Sequence, residues 1–363
     1  MQSTSISDNG NTIELWMPED LYFAFNKSVV RMRVSGLKKA FVHIGCGDAQ
    51  YDAVGVAMDG SVTMDVSSYI QSIYDDVKLS IDNYDGAWQT NFARTVSFHF
   101  GYELEDGTTR KGIYQHDVVY IWGALAVGET FNKCKEYAAW EGYPFSFPLY
   151  LELGGLIQIV KGNRVQALSV RTSGMLALCF TTPSVGTYTF TMISAESVES
   201  TFASVFNYTF KSSIIGTGNK LCSVDVREYR EGVYLRWIDR HSGWRYWLFE
   251  RGDESKAVTT DGEFIRSVLS TTSTISDELG YSGRRKGYEV ERTIELCAPL
   301  VDSDTYDMLS DISSSPVVDV WLGGDYTNWM SVTIKEGTYQ KTRAVLQDFI
   351  CNMVLNDISV QRL

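Results

Sequence analysis

Apolar and polar residues alternate along much of this chain with the period of two that a half-buried strand imposes. The clearest case is Val96, Phe98, Phe100, Tyr102 and Leu104, interleaved with Thr95, Ser97, His99, Gly101 and Glu103. That spacing predicts a strand with one buried and one wet face. It ends at Glu105-Asp106-Gly107-Thr108, and Asp-Gly signals a hairpin because glycine supplies the positive φ such turns need. A partner strand is therefore expected over 112–120. Residues 28–34, 40–44, 54–58 and 62–66 read the same way. The pattern continues through 143–148, 156–160, 165–170, 175–180 and 187–193, with Gly, Pro and Asn as punctuation.

The last third opens with a hairpin of 233–238 and 244–249 whose register is open between two choices. A four-residue loop pairs Leu235 with Tyr246 and Trp237 with Trp244, but it sets Arg236 opposite Arg245, an unfavourable like-charge pair. A five-residue loop places Arg245 across from Trp237, where a cation–π contact can form. Strands are further predicted over 289–296, 317–322, 330–334 and 349–355. One stretch near 303–312 reads as a helix. Asp302 or Ser303 can cap it, Tyr306, Leu309 and Ile312 share a face, and Pro316 stops it.

The fold class expected is all-β, a multi-module β-sandwich or barrel architecture with one or two short helices. Boundaries are placed near residue 135, ahead of Pro144 and Pro148, and at the Gly-rich 215–219. They give an N-terminal β module over 1–134, a middle β module over 135–215 and a C-terminal β module over 216–363.

Composition narrows the function classes. Aromatics at 13% and charged residues at 21% exclude a disordered or coiled-coil chain. With 32 basic against 45 acidic residues the net charge is −13, which repels phosphate backbones and anionic headgroups, so no nucleic-acid partner is expected. No apolar run approaches the roughly 18 to 20 residues of a spanning helix, so no membrane insertion is expected. Met1 to Gly10 has neither a basic nor an apolar region, so no secretory signal is read there. The six cysteines lie far apart without a C-x-x-C pair and read as reduced, buried small side chains.

Candidate chemistry is sparse. His43 and Cys46 have H-x-x-C spacing, yet no second ligand pair follows to complete a zinc shell, so a core or loop role is expected. His99 sits on a polar strand face near Glu103, and His241 in a hairpin loop. No G-x-S-x-G accompanies them, which leaves a serine triad unsupported. Glu103, Glu105 and Asp106 are carboxylates of the kind a glycosidase pair uses, but sequence does not measure their separation. The glycines of 45–47 and 123–128 lack the context of a phosphate loop and read as turns. Arg251-Gly252-Asp253 matches an adhesion tripeptide and is read as a strand end. No catalytic residue, no metal ligand and no cofactor are expected. Trp237, Trp244, Tyr246 and Trp247 are the one candidate contact group. They either pack as the core of the hairpin or present a platform for a sugar or a protein partner.

The C-terminal third carries a resemblance. A strand over 289–296 and a helix holding Tyr306-Asp307-Met308-Leu309 lead into Ser315-Pro316-Val317-Val318-Asp319-Val320-Trp321-Leu322. Trp329-Met330-Ser331-Val332-Thr333-Ile334 and a closing strand around Leu346-Gln347-Asp348-Phe349 follow. This order resembles the closing segment of structural tail and baseplate proteins, including distal tail proteins, of tailed phages and prophages. The segments Tyr234-Leu235-Arg236-Trp237-Ile238 and Tyr143-Pro144-Phe145 look similar too. The resemblance implies a non-enzymatic virion structural subunit, made in the host cytoplasm and located in the tail. Such a subunit would assemble as a homo-oligomer and dock to other tail proteins. It transfers no functional residue. The rival readings are a carbohydrate-binding or adhesin-like β-sandwich protein that contacts a surface glycan, and a β-rich glycoside hydrolase.

Overall fold

The computed structural model describes residues 1–79, 86–126, 135–151, 155–170, 174–180, 183–193, 208–210, 219–260, 263–267, 281–285 and 288–355. Strands dominate them in several separate sheets, as the alternation predicts. They divide into two compact units. The first comprises Met1–Tyr229, Ile238–Arg245 and Asp325–Thr327; the second comprises Arg230–Trp237, Tyr246–Gly324 and Asn328–Leu363. Most of the Gly-rich stretch at 215–219 lies outside the described residues, as do Cys134 and Gly128.

The first unit begins with a sandwich. Its elements are β1 (Gln2–Asp8), β2 (Asn11–Met17), β3 (Leu21–Phe23), β4 (Val29–Arg33), β5 (Leu37–Cys46), β6 (Ala49–Val56), β7 (Ser61–Asp65), helix α1 (Ser67–Ser72), β9 (Ala93–Leu104) and β10 (Thr109–Ile121), with β8 (Gly86–Gln89) between α1 and β9 in sequence but outside both sheets. One sheet runs β1-β2-β4-β7, the other β3-β10-β9-β5-β6. Ile13, Leu15, Val30, Met32 and Val62 from the first share one buried cluster with Val42, Ile44, Val96, Phe98, Phe100 and Tyr102 from the second. The hairpin predicted at Asp106-Gly107 is present, with Gly107 at φ +87°. Its second strand breaks step between Arg110 and Tyr114. That bulge lays the Arg110 carbonyl over Gly101, where a Cβ would come within 2.6 Å of the oxygen.

Strands β1, β2, β3 and β8 and helix α1 lie outside the segments that the alternation predicts. Strand β1 has Ile6 as its one aliphatic residue, yet it pairs with β2 from Gln2↔Met17 to Asp8↔Asn11 around an Asn9-Gly10 turn with both φ values positive. Helix α1 is fastened by polar contacts. The Ser28 N–H donates to Ser67 Oγ at 2.8 Å, Tyr120 donates to Ser28 Oγ at 3.1 Å, and Tyr74 donates to the Tyr120 carbonyl at 2.6 Å. Arg94 donates to the Ile73 carbonyl, lies over the Tyr74 ring and pairs with Asp76.

A second pair of sheets follows in the same unit. It contains β11 (Lys135–Trp140), β12 (Phe145–Leu151), β13 (Gly155–Lys161), β14 (Arg164–Val170), β15 (Gly174–Phe180), β16 (Gly186–Ile193), β17 (Tyr208–Phe210) and β18 (Asn219–Arg227). The sheet orders are β11-β18-β16-β13-β14-β17 and β12-β15-β8, so β8 leaves its sequence neighbours to pair here. Aromatic rings fill the space between the layers: Phe147 meets Phe190 at 4.8 Å and Tyr137 at 5.4 Å. Pro148 lies inside β12, which is tolerated because β12 is an edge strand and needs no donor on its outer side.

The second unit holds most of β19 (Val233–Ile238) and β20 (Trp244–Thr260), then β21 (Glu263–Ser267), β22 (Tyr281–Arg285), β23 (Tyr288–Val301), helix α2 (Ser303–Ser310), β24 (Val318–Trp321), β25 (Trp329–Ser331), β26 (Thr333–Ile334) and β27 (Gln347–Leu355). Its main sheet runs β25-β24-β19-β20-β23-β27-β26. Helix α2 starts as the sequence predicts, with Asp302 accepting from the Thr305 N–H at 2.8 Å, and Tyr306, Leu309 and Ile312 are buried. The β19–β20 turn is closed by the Asp239 N–H donating to the Gly243 carbonyl at 2.8 Å, which selects the five-residue loop. Arg236 instead faces Asp319 on β24.

Gly101→Ala should cost about 1–3 kcal/mol, because a methyl group meets backbone rather than a flexible side chain. Urea unfolding with a midpoint equal to that of the parent would contradict this packing. A second expectation concerns alkaline pH. Burial pushes the phenols of Tyr74, Tyr120 and Tyr137 above their ordinary range and the Cys351 thiol up to about 12. These groups stay neutral in the fold where the unfolded chain would ionise them. Their contribution is therefore fully present below about pH 8.5 and is lost as pH rises toward 12. The urea midpoint should fall between about pH 8 and pH 11; a constant midpoint would contradict the burial.

Candidate functional site

The four aromatic residues of the hairpin have lost their exposed faces. Trp237, Trp244, Tyr246 and Trp247 retain 0%, 3%, 3% and 4% of their accessible surface, so none offers a ring to a sugar or a protein partner. Tyr246 stacks on Tyr234 at 5.9 Å, and both meet Trp329. Beside them lies an ion pair that sequence reading did not find. Arg236 Nε and Nη2 reach Asp319 Oδ2 at 2.9 and 2.8 Å, with both side chains buried. The guanidinium lies 4.3 Å from the centre of the Trp329 ring, and Ser331 Oγ donates to Asp319 Oδ1 at 2.8 Å. Such a pair fixes the register of β19 on β24, since a slip would strand a charge in a low-dielectric interior.

The other candidate residues are dispersed. His43 and Cys46 are three apart on β5 and therefore point to opposite faces, His43 outward and Cys46 against the core. His241 is buried in its turn, where its N–H donates to Asp239 Oδ1 and its ring edge meets Phe23. Glu103 is held by Lys38 at 2.6 Å and by Lys39, and the Lys38 hydrogen bond leads in keeping its carboxyl below the ordinary range. Asp106 caps its own turn by accepting from the Thr108 N–H. Arg251-Gly252-Asp253 does not end a strand: it forms a bulge within β20, with the Gly252 backbone close against Glu295. Among the described residues, no group of three or more His, Cys, Asp and Glu side chains is placed to hold a metal ion.

What the fold does bring together is the outward face of the β3-β10-β9-β5-β6 sheet. Across four strands the registers Asp52↔His43, His43↔His99 and His99↔Gln115 align one row of polar side chains. His43 Nδ1 donates to Asp52 Oδ1 at 2.8 Å, and the His43 and His99 ring centres are 5.9 Å apart. In the next row Asp117, opposite Ser97, has its carboxyl lowered first by a hydrogen bond from Gln115 and then by one from Ser97. On the other side of the histidines, Phe41 faces Val54 and Lys39 faces Val56. Val54, Val56 and Met58 are 58%, 69% and 79% exposed along the edge strand and its turn. Sequence placed His99 on a polar strand face but expected a core or loop role for His43, which instead points outward from β5, and it gave no sign that the two strands are neighbours.

No family model matches the chain, and no curated protein matches it in sequence. Among solved structures it is similar at 10% identity to one concerning host cell surface retention of a 1.5-MDa bacterial ice-binding adhesin, over 59% of this chain and 64% of that one, with a TM-score of 0.19. It is similar at 11% identity to the Bacillus anthracis TIE protein, over 80% of this chain and 52% of that one, with a TM-score of 0.12. The chain spans less than two thirds of either structure's length. Scores this low describe no shared fold, and neither likeness carries an argument about function.

Trp237→Ala should destabilise the protein by about 3–5 kcal/mol, since a fully buried indole is removed. A variant that melts like the parent but loses glycan binding would overturn the core assignment. Asp319→Ala should cost about 3–5 kcal/mol by removing the carboxylate from a buried guanidinium. The double change Arg236→Met with Asp319→Leu should recover most of that loss, and a double variant as unstable as the single one would contradict the charge argument.

Proposed function

We propose that this chain is a non-enzymatic structural subunit that works by self-association and by docking to neighbouring proteins. The resemblance of its C-terminal third supports the tail or baseplate of a tailed phage or prophage as the particle it builds. The observation that carries the reading is the exposed apolar strip of Val54 and Val56 on β6 with Met58 in the turn that follows. This strand is the last of its sheet, so it pairs with β5 on one side only. An edge strand with unpaired backbone groups and outward apolar side chains is a template for pairing, and cytosolic monomers usually blunt such edges with charge. A neighbouring subunit that covers the strip removes both liabilities, and repetition by a fixed rotation closes a ring. The net charge of −13 is in keeping with protein rather than nucleic-acid partners.

Sedimentation velocity over rising concentration tests this. The full chain should associate in the micromolar range, and Val56→Lys should shift it toward monomer while leaving its melting temperature near that of the parent. A chain that stays monomeric at high micromolar concentration and hydrolyses or binds a polysaccharide would overturn the proposal in favour of the glycoside hydrolase or adhesin-like reading.

A further inference from the structure

We propose that His43 and His99 chelate a borderline divalent transition cation on the outward face of the β3-β10-β9-β5-β6 sheet. The two residues are direct cross-strand partners on β5 and β9, so the spacing of their Cβ atoms is set by the ladder and not by loops. Their ring centres lie 5.9 Å apart. With metal–nitrogen bonds of about 2.0–2.1 Å, two imidazoles on one ion have ring centres roughly 5 to 6 Å apart for tetrahedral and wider angles. The pair is therefore already at chelating separation.

The protonation state is prepared as well. The Asp52 carboxylate accepts from His43 Nδ1, which puts the proton on that nitrogen and leaves the Nε2 lone pair for a metal. In metal sites a ligating histidine usually has its other nitrogen held by a carboxylate or carbonyl, which fixes the ring's orientation. The His43 side chain is 43% exposed, so an ion reaches it from solvent without rearrangement. Asp52, whose side chain is 81% exposed, and Asp117 nearby on β10 add the negative charge that favours a cation. Imidazole nitrogen suits Ni, Cu and Zn rather than Ca or Mg. Two protein ligands leave the remaining positions to water or to a donor from a neighbouring molecule. The other two histidines do not compete, since His116 and His241 are both buried.

Calorimetric titration of the tag-free full chain with nickel chloride tests the site. A single ion should bind, and His43→Ala or His99→Ala should each weaken binding by about tenfold or more while melting like the parent. Asp52→Asn should weaken it by about tenfold, the low end of the roughly 10- to 100-fold that such partners contribute. Cys46→Ala, on the opposite face, should leave it unchanged. The conservative pair His43→Asn and His99→Gln gives the same readout with less disturbance of the strand. Parental affinity in both His99 variants, or no binding by the parent at millimolar nickel, would overturn the proposal.

Discussion

The pleat of the strand is the constraint on which the rest of this molecule depends. Successive side chains point to opposite faces, so one choice of register decides both the core and the exposed chemistry. In β9 it buries Val96, Phe98, Phe100 and Tyr102 and turns Ser97, His99 and Glu103 outward. A slip of one residue would reverse every assignment. Each large side chain moved to water would forfeit about 1.5–3 kcal/mol, and histidine and glutamate would enter an apolar interior. Tight turns with positive φ at Asn9-Gly10, Asp59-Gly60 and Gly107 hold the register from the ends.

Polar contacts specify what apolar parity leaves open. Sheets of similar strands can pair in several orders, and apolar burial alone discriminates weakly among them. The chain from Ser67 through Ser28 and Tyr120 to Tyr74 ties α1 to the sheets with each polar group satisfied. Arg236 and Asp319 do the same between β19 and β24. These groups are buried or half-buried and bond to one another, which makes them structural. The outward face of β6, β5, β9 and β10 is different: there an apolar edge adjoins a polar row that includes two half-buried or exposed histidines, and no core packing accounts for either feature.

Local signals made much of the fold legible. The alternation of β9, the Asp-Gly turn after it, and the Asp302 cap with Tyr306, Leu309 and Ile312 all depend on residues within a few positions of one another. Strand β1 escaped notice because serine and threonine give no apolar contrast, and its Asn9-Gly10 turn was the available cue. The His43–His99 pair, the Arg236–Asp319 pair and the departure of β8 to pair with β15 depend on partners distant in sequence. Periodicity carries no information about them. The same holds for the resemblance to tail and baseplate proteins, which rests on strand and turn punctuation and names no contact residue.

The central claim is that the edge and outward face of β6 form the working surface, and amide hydrogen exchange tests it most directly. The full chain would be compared in its dilute and its concentrated, associated states. The account predicts that amides of Ala49–Val56 and of the turn to Ser61 gain protection on association, while the buried strand β9 is unchanged. Association accompanied by protection confined to other strands, with β6 exchanging as in the dilute state, would contradict it.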